Sequence, residues 1–309
     1  MPTGFKSKFG LYDGYSAWND SWTAVDEMLP FNDESVNQAI DFIENNVLEG
    51  KASRRAPDQG FIKVGGAING DFDYNNFGSI IKAAMGAEAG GVYTFSDALD
   101  NIIGVEFEKT QSRWRTMAKI NELTIEGQKN EGVKISIGLV GKQITRSATA
   151  FPSLSISSQS RVLFSQLTYR IGNQDDALAG GDELEISSFR IHINNNLADD
   201  HGTNAQRTIL EANRNGFRTV EFEIGFDRYA SDAMFDWFDA GTKLQSDLTF
   251  TDGSATWLIE IPEIIINGEP GAPVGGPEII AESVPMSCYR NTSNTPMTAI
   301  DDEVRMTLS

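Results

Sequence analysis

The chain has 309 residues, enough for one large domain or two ordinary ones, and its 40% hydrophobic content suits globular cores. Its 44 Asp and Glu against 25 Lys and Arg give a formal net charge of −19. This balance excludes a surface that binds nucleic acid through its phosphates, which needs clustered Lys and Arg. The single Cys288 excludes an intramolecular disulfide, and no apolar run is long enough for a membrane span.

Residues 1–30 are rich in Gly, Asp and aromatic residues and keep neither a helical nor a strand period. They begin Met-Pro-Thr-Gly-Phe-Lys, without the apolar core of a signal peptide, so we expect no secretory export. Aromatic residues in such an arm dock on a neighbouring molecule or fold back over their own domain. We therefore predict an N-terminal arm over residues 1–30, without regular structure.

The residue pattern over 31–146 predicts several strands and one short helix. Apolar side chains recur at helical spacing over residues 76–85, and Gly86 suits the left-handed conformation that ends a helix. Period-2 alternation and β-forming residues predict strands over 61–74, 92–95, 102–108, 113–125 and 133–140. Residues 147–183 predict a Ser- and Thr-rich linker followed by a connecting strand over 162–171.

Residues 184–309 predict the same kind of unit again. Strands are expected over 186–193, 217–226, 247–251, 255–266, 278–286 and 303–308. A helix over 232–240 should be capped by Ser231 or Asp232, end at Gly241, and bury a stripe of Met234, Phe235, Trp237 and Phe238. A Gly- and Pro-rich loop is predicted over 267–277.

Short motifs recur between the two units. Residues 93–97 (Tyr-Thr-Phe-Ser-Asp) answer residues 248–252 (Leu-Thr-Phe-Thr-Asp) at an offset of 155, and Gly86 answers Gly241 at the same offset. Further matches join 45–47 to 195–197, 60–61 to 216–217, and 120–127 to 261–268. A repeat of this length is a whole domain. We therefore predict a duplicated domain, with copies over 31–146 and 184–309.

No set of catalytic or metal-binding residues emerges. The two histidines, His192 and His201, lie on the polar side of a strand and in an Asp-rich loop, and Cys288 alternates with apolar residues as a buried thiol does. The series Asp71-Phe-Asp73-Tyr-Asn75 starts like a calcium loop but lacks the later Gly and Glu. We expect a protein that is not an enzyme and holds no cofactor or metal.

Several segments together resemble the double-domain tail tube proteins of long-tailed, non-contractile (siphovirus-type) bacteriophages. The similarity rests on residues 119–127 with 133–142, on 187–197 with 216–226, on the Gly-Gly-Pro turn ending at 277, and on 284–290. It covers most of residues 31–309. The resemblance implies two tandem, mainly β sandwich or barrel domains, each flanked by one short α-helix.

The resemblance also implies an assembly. Domains of that family associate edge to edge into rings that stack into a tube, and a duplicated chain would fill six positions with three copies. We expect homotrimeric, pseudo-hexameric rings in the virion tail, assembled in the host bacterial cytoplasm, with an acidic lumen that conducts phage DNA without binding it specifically. Expected partners are the tape measure, tail terminator and distal tail proteins. Candidate inter-ring contacts are Trp18, Trp22, Gly271, Pro273 and Gly275.

A second class of function remains open at this stage. Tandem β-sandwiches also occur as carbohydrate-binding modules, and Trp18, Trp22 or Trp257 could stack on sugars. A module predicts a monomer that binds glycans, whereas a tube subunit predicts self-association without glycan dependence.

Overall fold

The computed structural model describes residues 6–47, 53, 55–109, 112–147, 150–202, 206–229, 231–273, 281–292, 296, 297 and 299–309. The protein is mainly β, as predicted, and its paired strands are antiparallel. In the first half the elements are β1 (Lys8–Tyr15), β2 (Glu27–Leu29), β3 (Asp33–Glu34), β4 (Asn37–Ile43), β5 (Asp58–Asp71), α1 (Gly78–Met85), β6 (Gly86–Ala89), β7 (Val92–Phe95), β8 (Ile102–Lys109), β9 (Ser112–Gln128), β10 (Lys134–Gly141) and β11 (Thr145–Ser147).

The second half repeats this plan. Its elements are β12 (Leu167–Asn173), β13 (Ser188–Asn194), β14 (Leu197–Asp200), β15 (Glu211–Arg214), β16 (Thr219–Phe226), α2 (Ala233–Ala240), β17 (Leu244–Thr251), β18 (Thr256–Ile266), β19 (Glu282–Cys288) and β20 (Arg305–Leu308). Both helices end as predicted, because Gly86 and Gly241 adopt left-handed φ angles of 110° and 60°. Among the described residues, no helix is long and apolar enough to cross a membrane.

The two halves share one strand order. In the first half, neighbouring strands run β1-β8-β9-β10-β5-β4. In the second, they run β12-β17-β18-β19-β16-β13. Helix α1 follows β5, and α2 follows β16, at the same place in the order. The duplication is therefore present in the topology, and β1 and β12 hold equivalent places although the sequence put them in an arm and a linker.

The first motif match does not survive in the structure. Tyr93–Phe95 lies in β7, which pairs with β6 and β20, whereas Leu248–Phe250 lies in β17, which pairs with β12 and β18. The topological counterpart of β17 is β8. The hairpin β6–β7 is an addition between α1 and β8, so the offset falls from 155 at the helices (233 − 78) to 142 at these strands (244 − 102).

The strands pack as a sandwich with one core that runs through both halves. Strands β9 and β18 are long, and each takes part in both layers of its half. Across the layers of the second half, the Phe189 ring lies 5.6 Å from that of Phe250. Between the halves, the fully buried Trp257 ring lies 5.4 Å from Phe72 and 5.6 Å from Tyr93. The larger of the two hydrophobic clusters among the described residues therefore contains side chains of both halves.

Two local expectations were wrong. The first 30 residues are not without regular structure, because β1 pairs with β8 and β2; a bulge between Tyr12 and Tyr15 breaks its alternation and hides the strand in the sequence. In α2, the N-cap residue Asp232 makes no side-chain capping bond and instead accepts a hydrogen bond from the Tyr229 hydroxyl. Of its predicted stripe only Met234 is buried; the three aromatic residues are half-buried.

Candidate assembly surfaces

The two halves are joined edge to edge by main-chain pairing. One edge of β9 carries β8 along residues 112–118 and then β13 along residues 122–128. Strand β13 in turn pairs with β16 of its own half. A single sheet therefore runs through both halves in the order β4-β5-β10-β9-β13-β16-β19-β18, which we call the eight-strand sheet. We call the β9–β13 pairing the internal joint.

Asn195 fastens the internal joint where β13 ends. Its side chain is fully buried, and Nδ2 donates hydrogen bonds to the carbonyl oxygens of Ala84 at 2.8 Å and Ile120 at 3.1 Å. Its backbone amide donates to the Asn121 carbonyl at 2.7 Å. One asparagine of the second half thus donates hydrogen bonds to a carbonyl oxygen in the last turn of α1 and to another in β9 of the first half.

The segment that follows β13 reaches back over the first half. The His201 ring lies 4.5 Å from the ring of Phe61, and its Nε2 is 3.1 Å from the Ile62 carbonyl oxygen. Ile62 donates its amide to the Arg207 carbonyl at 2.7 Å, and Arg207 Nε donates to the Gly60 carbonyl at 2.8 Å. The start of β5 is therefore covered by residues from the other half.

Strand β4 presents an open edge at one end of the eight-strand sheet. Among the described residues its pairing is with β5 alone. The Ile62 amide points away from β4, because it donates to the Arg207 carbonyl. Ile62 and its register partner Ile40 therefore form a non-hydrogen-bonded antiparallel pair, in which the amide and carbonyl of Ile40 point away from β5. Phe42 and Ile43 are 60% and 61% exposed. The equivalent strand β13 is largely buried, since β9 covers its outer edge.

Strand β18 presents the second open edge at the other end. On the edge that carries β17, the last register pair is Leu244 with Ile264. The Asn267 amide donates to the Pro285 carbonyl on the edge that carries β19. Because successive residues of a strand direct their backbone groups to opposite edges, the amide and carbonyl of Ile266 point to the edge that carries β17, beyond the last β17 residue. Within the described ranges no strand pairs there. The free part of β18 comprises Ile265 and Ile266, and at the same place in the strand order β9 carries β13 along residues 122–128.

One face of the eight-strand sheet is polar and mostly acidic. Around β13, the side chains of Glu122, Glu126, Glu221 and Glu223 are exposed on this face, with Arg190 among them. The opposite face carries buried apolar residues such as those of β10 and β16. The sheet is thus apolar towards the core and negatively charged towards solvent at the internal joint.

A comparison with known protein families identifies the family of this chain. A family model described as phage tail tube protein matches residues 8–288. The chain belongs to the phage tail tube protein family. It is a structural component of the virion tail, and its family assembles with itself and with other tail proteins. A search of curated proteins finds no match.

The predicted contact residues of this tail tube protein lie in different settings. Trp18 is 3% exposed, and its Nε1 donates to the Ile209 carbonyl at 3.3 Å. Trp22 is half-buried, with the Arg115 guanidinium 5.1 Å from its ring centre. Gly271 and Pro273 are exposed, and Gly275 lies outside the described residues. Their contact with another ring stays a prediction.

The residues considered for catalysis or metal binding make structural contacts. Thr124 Oγ1 lies 2.9 Å from His192 Nδ1 across the internal joint. Cys288 is buried in β19, and burial raises the pKa of its thiol. Asp73 accepts hydrogen bonds from the amides of Asn75 and Asn76, both at 2.7 Å, which shapes the turn into α1. No group of three or more metal-binding side chains occurs among the described residues.

Two of the tryptophans proposed for sugar stacking are unsuited to it. Trp257 is fully buried between Phe72 and Tyr93, and Trp18 is buried beneath the second half of the chain. Sugar stacking needs an open aromatic face. In this tail tube protein those two faces are occupied by its own core.

The sequence indicated the duplication but missed the tube protein's open edges. The sequence analysis predicts no strand over residues 37–43, although Gln38, Ile40 and Phe42 alternate with polar or small residues. One signal could have revealed this strand: Asn45-Asn46-Val47 matches Asn195-Asn196-Leu197, and a strand is predicted directly before the second motif. Which edges are free depends on pairings across the whole chain, which no local pattern reports.

Proposed function

We propose that three copies of this chain close into a pseudo-sixfold ring of the tail tube by repeating the internal joint between chains. The observation that carries the proposal is the pair of open edges at the two ends of the eight-strand sheet. The β4 edge is the counterpart of β13, and the β18 edge beyond Ile264 is the counterpart of the β9 stretch that carries β13. Each chain thus offers both partners of the joint that it already contains.

The proposed ring forms by pairing β4 of one chain with β18 of the next. This contact is head-to-tail, so it generates a closed ring when the rotation per domain divides the circle. Closure also removes the exposed strand edges, which otherwise invite uncontrolled association. With two domains per chain, three chains supply the six positions that single-domain members of the family fill with six.

The acidic face of the eight-strand sheet is proposed to line the lumen. Double-stranded DNA carries one negative charge per ~1.7 Å of axis, so a basic wall would bind and stall it. A wall carrying Glu122, Glu126, Glu221 and Glu223 repels the phosphates and keeps water and counterions between DNA and protein. What supports this orientation is that the other face of the same sheet is filled by the core.

Stacking of rings is proposed to use the loop that begins at residue 267 and the arm before residue 30. Gly271 and Pro273 are exposed there, and Trp22 is half-buried. Trp18 contributes indirectly, because its buried indole holds the arm segment against Ile209. We also propose assembly in the host cytoplasm, with tape measure, tail terminator and distal tail proteins as partners and DNA as passing cargo.

The test is electron microscopy of the purified chain, with one variant that blocks the β4 edge. Proline is tolerated on an edge strand where its nitrogen faces solvent, so Ile40→Pro should leave the single chain folded but remove the outward donor. We expect annuli or tubes with threefold symmetry for the wild type and for the control Ile40→Val, and none for Ile40→Pro. A wild-type chain that stays monomeric at high concentration, or rings with true sixfold packing of whole chains, would overturn the proposal.

A further inference from the structure

Phe217 is the most exposed large apolar side chain of the described residues, at 93%. It lies just before β16, on the wall of a cleft of 880 Å³ lined also by Arg214, Arg218, Tyr289 and residues 301–303. An exposed phenylalanine beside a cleft of this size marks a surface that another group covers. The equivalent residue of the first half, Phe61, is 41% exposed because a segment already lies on it.

The segment on Phe61 comes from the neighbouring domain across the internal joint. It is the connection between β13 and β16, and its residues His201 and Arg207 contact Phe61, Ile62 and Gly60. At the internal joint, the connection that follows β13 therefore covers the start of β5 in the other half. The cleft at Phe217 is the same place in the second half, with nothing from the described residues of this chain over the Phe217 ring.

The chain also contains the counterpart of the covering segment. The connection between β4 and β5 follows β4 as the covering segment follows β13, and it opens with Asn45-Asn46-Val47, the match of Asn195-Asn196-Leu197. Asn195 is fully buried at its joint, and Leu197 packs beside a cluster with Trp18 and Ile209. Val47 is 67% exposed and belongs to neither hydrophobic cluster of the described residues.

Some buried polar groups in the cleft also lack hydrogen-bond partners among the described residues. Arg214 donates through Nη1 to the Asp97 carbonyl at 3.0 Å, but its buried Nε and Nη2 have no hydrogen-bond acceptor among the described residues. The buried Nε of Arg218 is in the same state. Buried guanidinium donors without acceptors are unfavourable, and a second chain that brings carbonyl or carboxylate oxygens would satisfy them.

We propose that the cleft at Phe217 takes the β4–β5 connection, residues 44–57, of the next copy of this chain in the ring. The contact is then the intermolecular repeat of the His201–Phe61 contact, and it rests on the proposed ring. When β4 pairs with β18 of the neighbour, the connection leaves β4 on the side of the neighbour's second half, as the 195–218 connection leaves β13 over the first half. The ring contact thus has two parts, a strand pairing and an aromatic cover.

The test places a photo-crosslinking benzoylphenylalanine at position 217 and maps the crosslinked peptide by mass spectrometry. Assembly from a mixture of isotopically light and heavy chains separates links between chains from links within one. We expect Phe217→benzoylphenylalanine to link to residues 44–57 of another chain in assembled rings and not in the Ile40→Pro monomer. The matched control is position 61, which should link to residues 199–209 of the same chain in both states.

The outcomes separate the two proposals. Rings whose position 217 links to any other segment, or to 44–57 of the same chain, overturn this contact and leave the ring standing. A wild-type chain that forms no ring overturns both. Should the benzoyl group block assembly, hydrogen exchange of the unmodified chain decides: amides of residues 44–47 and 216–218 should slow by at least ~10-fold in rings, and unchanged exchange refutes the contact.

Discussion

The internal joint makes Asn195→Ala the most informative change within one chain. The substitution removes the Nδ2 donor that bonds the carbonyl oxygens of Ala84 and Ile120 at 2.8 and 3.1 Å, and it leaves both acceptors buried. A net hydrogen bond contributes roughly 1 kcal/mol, and an unsatisfied buried polar group costs about 1–3 kcal/mol. Since the Asn195 Oδ1 is itself buried and accepts no hydrogen bond from the described residues, removing it offsets part of this loss. We expect a net destabilisation of about 2–3 kcal/mol.

That magnitude is measured by urea unfolding at neutral pH, with Asn213→Ala as the control because Asn213 is exposed on the short β14–β15 hairpin. A loss of 2–3 kcal/mol corresponds to a roughly 30- to 150-fold change in the unfolding equilibrium. Because one core spans both halves, the transition should stay single and shift as a whole. A shift no larger than that of Asn213→Ala, or a split into two transitions, would refute the role assigned to Asn195.

Three further outcomes are expected. Trp257→Ala should destabilise the chain by about 3–5 kcal/mol, because it empties the centre of the shared core; thermal unfolding checks this, and a loss below ~1 kcal/mol would contradict it. Glu263 is buried, and although burial raises its pKa, hydrogen bonds led by that of Lys243 outweigh it and lower the pKa below the ordinary value. A lowered carboxyl pKa stabilises above the unfolded pKa and loses effect as pH falls through the folded one, so Glu263→Gln should destabilise at pH ~7 and far less near pH ~3; equal losses at both pH values would refute this. Cys288 should react with a thiol reagent only after unfolding, because burial raises its thiol pKa and hides the sulfur; fast native labelling would show the opposite.

The fold class and the duplication were readable from the sequence because both rest on local patterns. Helix ends at Gly86 and Gly241 follow from the freedom of glycine at positive φ, and strands such as β10 and β16 follow from alternation between a core face and a polar face. The acidic composition likewise predicts no nucleic-acid binding through phosphates, and this stays a prediction.

The assembly surfaces were decided only by the tertiary structure. An open edge is the absence of a partner, and β4 and β13 have similar positions in their domains while β13 alone has β9 beside it. The inserted β6–β7 hairpin likewise made the strongest motif match misleading. Local patterns record which face of a strand is apolar. Pairing between strands far apart in the chain determines which edges stay unpaired and which aromatic side chains, Phe217 above all, stay exposed among the described residues.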